Sequence, residues 1–191
     1  MSLDRFAFDR RALDWAGEVI AQVGPDDLDA PTPCGDWSLR ELLGHMIAHN
    51  HGFTAAVLGH PVGGEVWDSI ALEDSDIPGA YAVSADGLTD AFAGSLPEKI
   101  TIHGYGAFGV STVLGMHIVD FVVHGWDVAV STGLDRMPDD ELADAAYQIM
   151  LQFPTDRPNK AFDVMVPVPA DAPIGDRLMA YVGRDPHWSA S

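Results

Sequence analysis

Residues 113–130, VLGMHIVDFVVHGWDVAV, form an apolar run that carries four titratable side chains, His117, Asp120, His124 and Asp127. Ser131, Thr132 and Gly133 follow, which puts a glycine where a left-handed C-terminal cap belongs, and the stretch reads as the central helix of a bundle. Asp120 and His124 are four residues apart and project from one face about a turn apart, and His117, three before Asp120, extends the stripe. An unpaired carboxylate or imidazole in an apolar setting costs roughly several kcal/mol, whereas a divalent cation converts both into ligands. The same spacing also suits a hydrogen bond between the two side chains or to a neighbouring helix, so this helix alone leaves both readings open.

Outward from this run the periodicity predicts further helices. An apolar stripe of Leu13, Ala16, Val19, Ile20 and Val23 gives an amphipathic helix over about 8–23, stopped by Gly24-Pro25. The clearest start signal lies at Ser38, with Glu41 three residues on as the second half of a capping box and Trp37 placed to staple against Leu42, and this helix is expected to reach about 58. Residues 59–79, with Pro61, Gly63, Gly64, Asp74, Asp76 and Pro78, read as a long surface excursion with one short helical turn. Helices are expected over about 80–95, 139–153 and 176–182, the last ended by Gly183. Residues 99–103 read as a short extended piece, and Phe162, Val164, Val166 and Val168 alternate in a segment where Pro167 confines any strand to an edge. The fold class expected is all-α, a four-helix bundle with long inter-helix loops and a small C-terminal extended segment.

Length and composition set the bounds. The 191 residues suffice for one substantial core, and no linker-like stretch divides them, so a single domain over 1–191 is expected. With 29 acidic against 10 basic residues the formal charge is −19, which repels nucleic acid and anionic membranes. Neither is an expected partner. The one cysteine, Cys34, cannot form an intramolecular disulfide, and MSLDRFAFDRR lacks a signal-peptide core, so a cytoplasmic location is expected.

The helix expected over 38–58 carries His45, His49, Asn50 and His51 among Leu42, Leu43, Met46, Ile47 and Phe53, with His45 and His49 again an i, i+4 pair. Taken singly, each histidine reads as an ordinary core or surface residue. One histidine from this helix together with the Asp/His pair of the central helix makes three ligands, the way bundle metal sites are assembled from facing helices.

Three segments carry a family resemblance: PTPCGDWSLRELLGHM (31–46), HIVDFVVHGWDVAVSTG (117–133) and RLMAYVGRDPHW (177–188). In this order they resemble the DinB-like metal-binding bundles, and among them the group related to the N-terminal domain of mycothiol-dependent maleylpyruvate isomerase. The resemblance implies a divalent metal, zinc or nickel, held by His45, Asp120 and His124. It also implies mycothiol as co-substrate, a thiol transfer or isomerisation, and pairing as a homodimer. Asp120 stands where the isomerase branch has glutamate, one methylene longer. The full isomerase adds a second domain, and this chain ends about where that domain begins.

Two imidazoles and one carboxylate leave a position open on zinc for water or a thiolate, the pattern of catalytic sites. Such a metal can lower the pKa of a bound thiol or water, or polarise a carbonyl. Two alternatives are a metal-binding bundle without catalysis and a metal-dependent hydrolase, the latter needing a free base for which His49 and His117 are the candidates. Cys34, just before a helix start, reads as a packed loop residue rather than a nucleophile. Asp127 either orients an imidazole or pairs with Arg10, Arg11 or a backbone donor. Arg184 reads as an ion pair pinning the C-terminal tail rather than a contact to an anionic substrate.

Overall fold

In a computed structural model describing residues 4–60, 63–68, 70–72, 76–134, 136–153 and 162–190, the regular structure among these residues is six α-helices, two single-turn 3-10 helices and one hairpin. Helix α4 (Val110–Ser131) is the axis. Helix α1 (Arg5–Ile20) lies along it, and α2 (Leu39–Val57) and α5 (Asp140–Met150) also touch it. Helix α3 (Ile77–Ala93) packs on α2, and the short α6 (Ile174–Tyr181) packs on α5. This is the all-α bundle expected from the sequence.

Helix α4 is long and apolar enough to cross a membrane by composition, yet 83% of its most apolar window is buried inside the protein. It behaves as a core helix. Ile118, Phe121, Val122, Val123 and Trp126 are buried among Leu13, Ala16, Leu42, Met46 and Ile149, each large apolar side chain contributing about 1.5–3 kcal/mol. A second cluster, with Phe53, Leu88, Phe92, Ile100, Val113 and Leu114, closes the other end of the bundle beneath the hairpin.

The ends of the helices follow the capping rules. Ser38 Oγ accepts from the Glu41 N–H at 3.4 Å while the Glu41 carboxylate accepts from the Ser38 N–H at 2.8 Å, closing the expected capping box. Gly133, at φ 73°, supplies the left-handed residue after α4, and the Leu134 N–H returns to the Ala129 carbonyl. Helix α3 starts at Ile77, three residues before the expected start, because Asp76 caps it and Pro78 is tolerated in a first turn.

The extended piece is β1 (Ile100–Ile102), which pairs antiparallel with β2 (Gly106–Phe108), a strand that Gly104 and Gly106 hide from any periodicity. The excursion after α2 contains one short turn, Gly64–Val66. The alternating segment from Phe162 forms no ladder among the described residues, its Val166 N–H bonding instead to the Ala180 carbonyl at the end of α6. Residues 61–62, 69, 73–75 and 154–161 of the stretches read as loops lie outside the described residues.

One chain of polar contacts ties the four long helices together. His117 Nδ1 of α4 lies 2.7 Å from Asp9 Oδ1 of α1, and its Nε2 lies 3.1 Å from Asn50 Oδ1 of α2. Asn50 Nδ2 donates to Ser84 Oγ of α3 at 2.9 Å, and the Ser84 hydroxyl donates to the Tyr81 carbonyl. The buried side chains of Asp9, Asn50, Ser84 and His117 thereby find partners, as burial demands. His117, 0% exposed and stacked on Phe121, is therefore a core residue rather than a pocket residue or a base.

Candidate metal centre

Where the middle of α2 faces the middle of α4, His45 and His49 meet Asp120 and His124. The two α2 imidazoles are a turn apart, with ring centroids 3.7 Å from each other, and the His45 ring stands edge-on to His124 at 5.2 Å. Asp120 spreads its two oxygens between partners: Oδ2 is 2.8 Å from His49 Nδ1, and Oδ1 is 3.4 Å from His124 Nε2. Ligand atoms of His45, His49 and Asp120 all lie within 4.8 Å of one another. The corner is partly open, with the side chains of His49 and Asp120 20% and 17% exposed and that of His124 7%.

His124 is aimed by its neighbours. Its Nδ1 lies 3.0 Å from Asp127 Oδ2, and Asp127 in turn receives Arg184 Nε at 3.0 Å and Nη2 at 3.1 Å, a buried two-pronged pair. With Nδ1 committed to Asp127, Nε2 is the His124 atom left to face the Asp120 carboxylate, and an imidazole nitrogen and a carboxylate oxygen 3.4 Å apart are placed to share a cation. Asp127 thus takes the imidazole-orienting part rather than pairing with Arg10 or Arg11, and Arg184 pins the tail that follows α6, as the sequence suggested.

The electrostatics prepare the same groups. Burial, followed by the nearby His49 and His124, pushes the His45 imidazole down to about 3, so it is neutral with a free lone pair near pH 7. No hydrogen bond to His45 exists among the described residues; Trp37, at 4.6 Å between centroids, covers its ring. Burial raises the Asp120 carboxyl, but His49, His124 and His45 together outweigh it and hold the group well below the usual carboxylate range. Burial likewise opposes ionisation of Asp127, and His124 and Arg184 prevail. A neutral imidazole at His45 beside an ionised carboxylate at Asp120, with the His49 and His124 rings against that carboxylate, makes a donor set that fits a divalent metal.

Cys34, on the loop leading to α2, gathers with His124 and Asp127 on the far side of the His124 ring and bonds to Arg184. Burial pushes its thiol up to about 11 despite that guanidinium, which makes it a poor nucleophile and a packed residue.

His49, which the sequence offered as a candidate base near the metal, reaches Asp120 across two helices, whereas Trp67 beside it was not singled out by the sequence. Trp67, in the loop after α2, sets its indole edge against His49 at 5.6 Å and Phe53 at 5.1 Å. It lies so close on Gly52 that a Cβ there would come within 2.8 Å of the ring, and its Nε1 is buried without a partner among the described residues.

A family model described as the mycothiol maleylpyruvate isomerase N-terminal domain matches residues 10–129, a span that includes His45, Asp120 and His124 but not Arg184. Two uncharacterized proteins of Mycobacterium tuberculosis, from strains CDC 1551 / Oshkosh and ATCC 25618 / H37Rv, are each 27% identical over 193 residues, covering 95% of this chain and 98% of theirs. Among solved structures, mycothiol-dependent maleylpyruvate isomerase superposes with a TM-score of 0.59 at 14% identity, and a histidine-to-alanine variant of it with 0.61 at 12%. Both matches cover 77% of this chain and 66% of the solved one, so at this identity the likeness is one of fold over about two thirds of the isomerase.

Proposed function

The chain belongs to the mycothiol maleylpyruvate isomerase N-terminal domain family, and from that premise and the α2–α4 corner we propose a metal-dependent protein that activates a low-molecular-weight thiol of the mycothiol type for transfer or isomerisation. His45, Asp120 and His124 would hold the metal, with zinc favoured by two imidazoles and a carboxylate. The observation that carries this reading is the 3.4 Å approach of Asp120 Oδ1 and His124 Nε2 beside an imidazole at His45 that has no hydrogen bond among the described residues.

Bound there, zinc supplies Lewis acidity that lowers the pKa of a coordinated thiol toward neutrality. The chain's residues do the rest. Asp127, braced by Arg184, fixes the His124 tautomer and the direction of its lone pair. Trp37 and Trp67 wall the two α2 imidazoles and limit access of water to them. The buried Asp127–Arg184 pair leaves no net charge under the centre.

Calorimetric titration of zinc-loaded protein with mycothiol and with its S-methyl derivative tests the reading. Saturable binding of the free thiol, with a proton released and lost on S-methylation, is expected. Equal affinity for both compounds, or none for either, contradicts it.

A further inference from the structure

We propose that His49 is a fourth protein donor to the metal, so that this centre is built from three imidazoles and one carboxylate: His45, His49 and His124 with Asp120. The inference rests on the metal reading above and concerns a residue outside its three-ligand set.

The geometry carries it. His45 and His49 leave α2 one turn apart and converge, their ring centroids only 3.7 Å from each other. Ligand atoms of His45, His49 and Asp120 are mutually within 4.8 Å, while donors around a zinc with bonds of about 2.0–2.2 Å stand roughly 3.3–3.6 Å apart, so small side-chain rotations close the difference for these three, and His124 joins them through Asp120, 3.4 Å from its Nε2. His49 Nδ1 is 2.8 Å from Asp120 Oδ2, nearer to the carboxylate than the expected ligand His124 is at 3.4 Å. Trp67 and Phe53 hold the His49 ring edge-on from two sides, and the bare Gly52 lets the indole approach this closely. A ring fixed in this way gives up little rotamer freedom on ligation.

Two consequences follow from the donor set. Three imidazoles bias the site toward zinc, nickel, cobalt and copper and away from magnesium and calcium, which prefer oxygen. Four protein donors do not exclude a thiol, because zinc in catalytic sites expands to five ligands.

The competing role for His49 is that of a hydrogen-bond donor that merely orients Asp120, and His49→Gln separates the two because its amide can donate to the carboxylate while binding metal poorly. The probes are zinc, titrated against a chelating indicator, and copper(II), whose electron paramagnetic resonance spectrum shows the coupled nitrogens. Circular dichroism of each variant verifies the helical fold. Both His49→Ala and His49→Gln are expected to bind zinc more than about 100-fold more weakly than the wild type, beyond the roughly 10–100-fold that loss of an orienting neighbour costs, and to show one coupled nitrogen fewer. Near wild-type affinity in His49→Gln with an unchanged nitrogen pattern overturns the inference while leaving the metal reading intact. A wild-type protein that takes up neither probe overturns the metal reading itself.

Discussion

Among single residues, Asp127 exerts the most leverage for its size, because it joins a proposed metal ligand to the C-terminal tail. Its carboxylate accepts from His124 on one side and from Arg184 on the other, with no exposure to solvent. Replacing it with asparagine removes the charge that holds both partners and frees the His124 ring to adopt the other tautomer. Asp127→Asn is expected to weaken zinc binding by about 10–100-fold, read by competition with a chelator, and wild-type affinity would show that the pair serves packing alone. Of this arrangement the sequence displayed the parts that lie within one helix. The i, i+4 spacing of Asp120 and His124 is visible in any helical reading, and His124 and Asp127 stand three apart. The Asp127–Arg184 pair spans 57 residues, so no local pattern announces it. His117 shows the opposite failure: it shares the stripe with Asp120, but one turn deeper the bundle offers Asp9 and Asn50 instead of the open corner.

Among the elements, α2 positions half of the centre, and its register is set at its first residue. The Ser38–Glu41 box fixes where the helix begins, and His45 and His49 follow about two and three turns later. Ser38→Ala removes the cap to the Glu41 N–H and is expected to lower stability by about 1 kcal/mol in chemical denaturation, with the zinc-loaded protein losing more helix at the start of α2 by hydrogen exchange. An unchanged denaturation midpoint would contradict that role. Helices with caps and an apolar period were legible to within a few residues, because both signals are local. Strand β2 was not, since Gly106-Ala107-Phe108 has too few residues for a period of two and exists through its partner, register Ile100 to Phe108. The segment after Phe162 alternates as a strand does, yet it bonds to the end of α6 at Ala180 because Pro167 removes a donor and no partner strand lies beside it among the described residues.

For the molecule as a whole, the bundle keeps charged and polar groups in its interior in states that acid disturbs. The His45 imidazole is held neutral, its folded value depressed to about 3 against 6.5 unfolded, so the unfolded chain binds more protons between these limits. The stability it contributes is full above pH 6.5 and is lost as pH falls toward 3. Asp127, held below its ordinary value of 3.8, acts in the same direction at the acid end of that window. Metal-free protein is therefore expected to unfold more readily in denaturant at each step from pH 6.5 downward, and His45→Leu is expected to flatten the upper part of the slope. A wild-type slope retained in that variant would assign the effect elsewhere. The fold class was readable from the apolar stripes and from three separated motifs, whereas the assembly of the centre depends on two helices facing each other, a property of the packed molecule.

A metal bound at the α2–α4 corner would show first in the metal content of the purified protein. Elemental mass spectrometry of protein purified without a chelator or histidine tag is expected to find about one equivalent of zinc or nickel per chain, lost in Asp120→Ala and His124→Ala and retained in a folded His117→Gln. A chain that stays empty after reconstitution with both metals, or that keeps its equivalent in the Asp120 and His124 variants, would contradict the account.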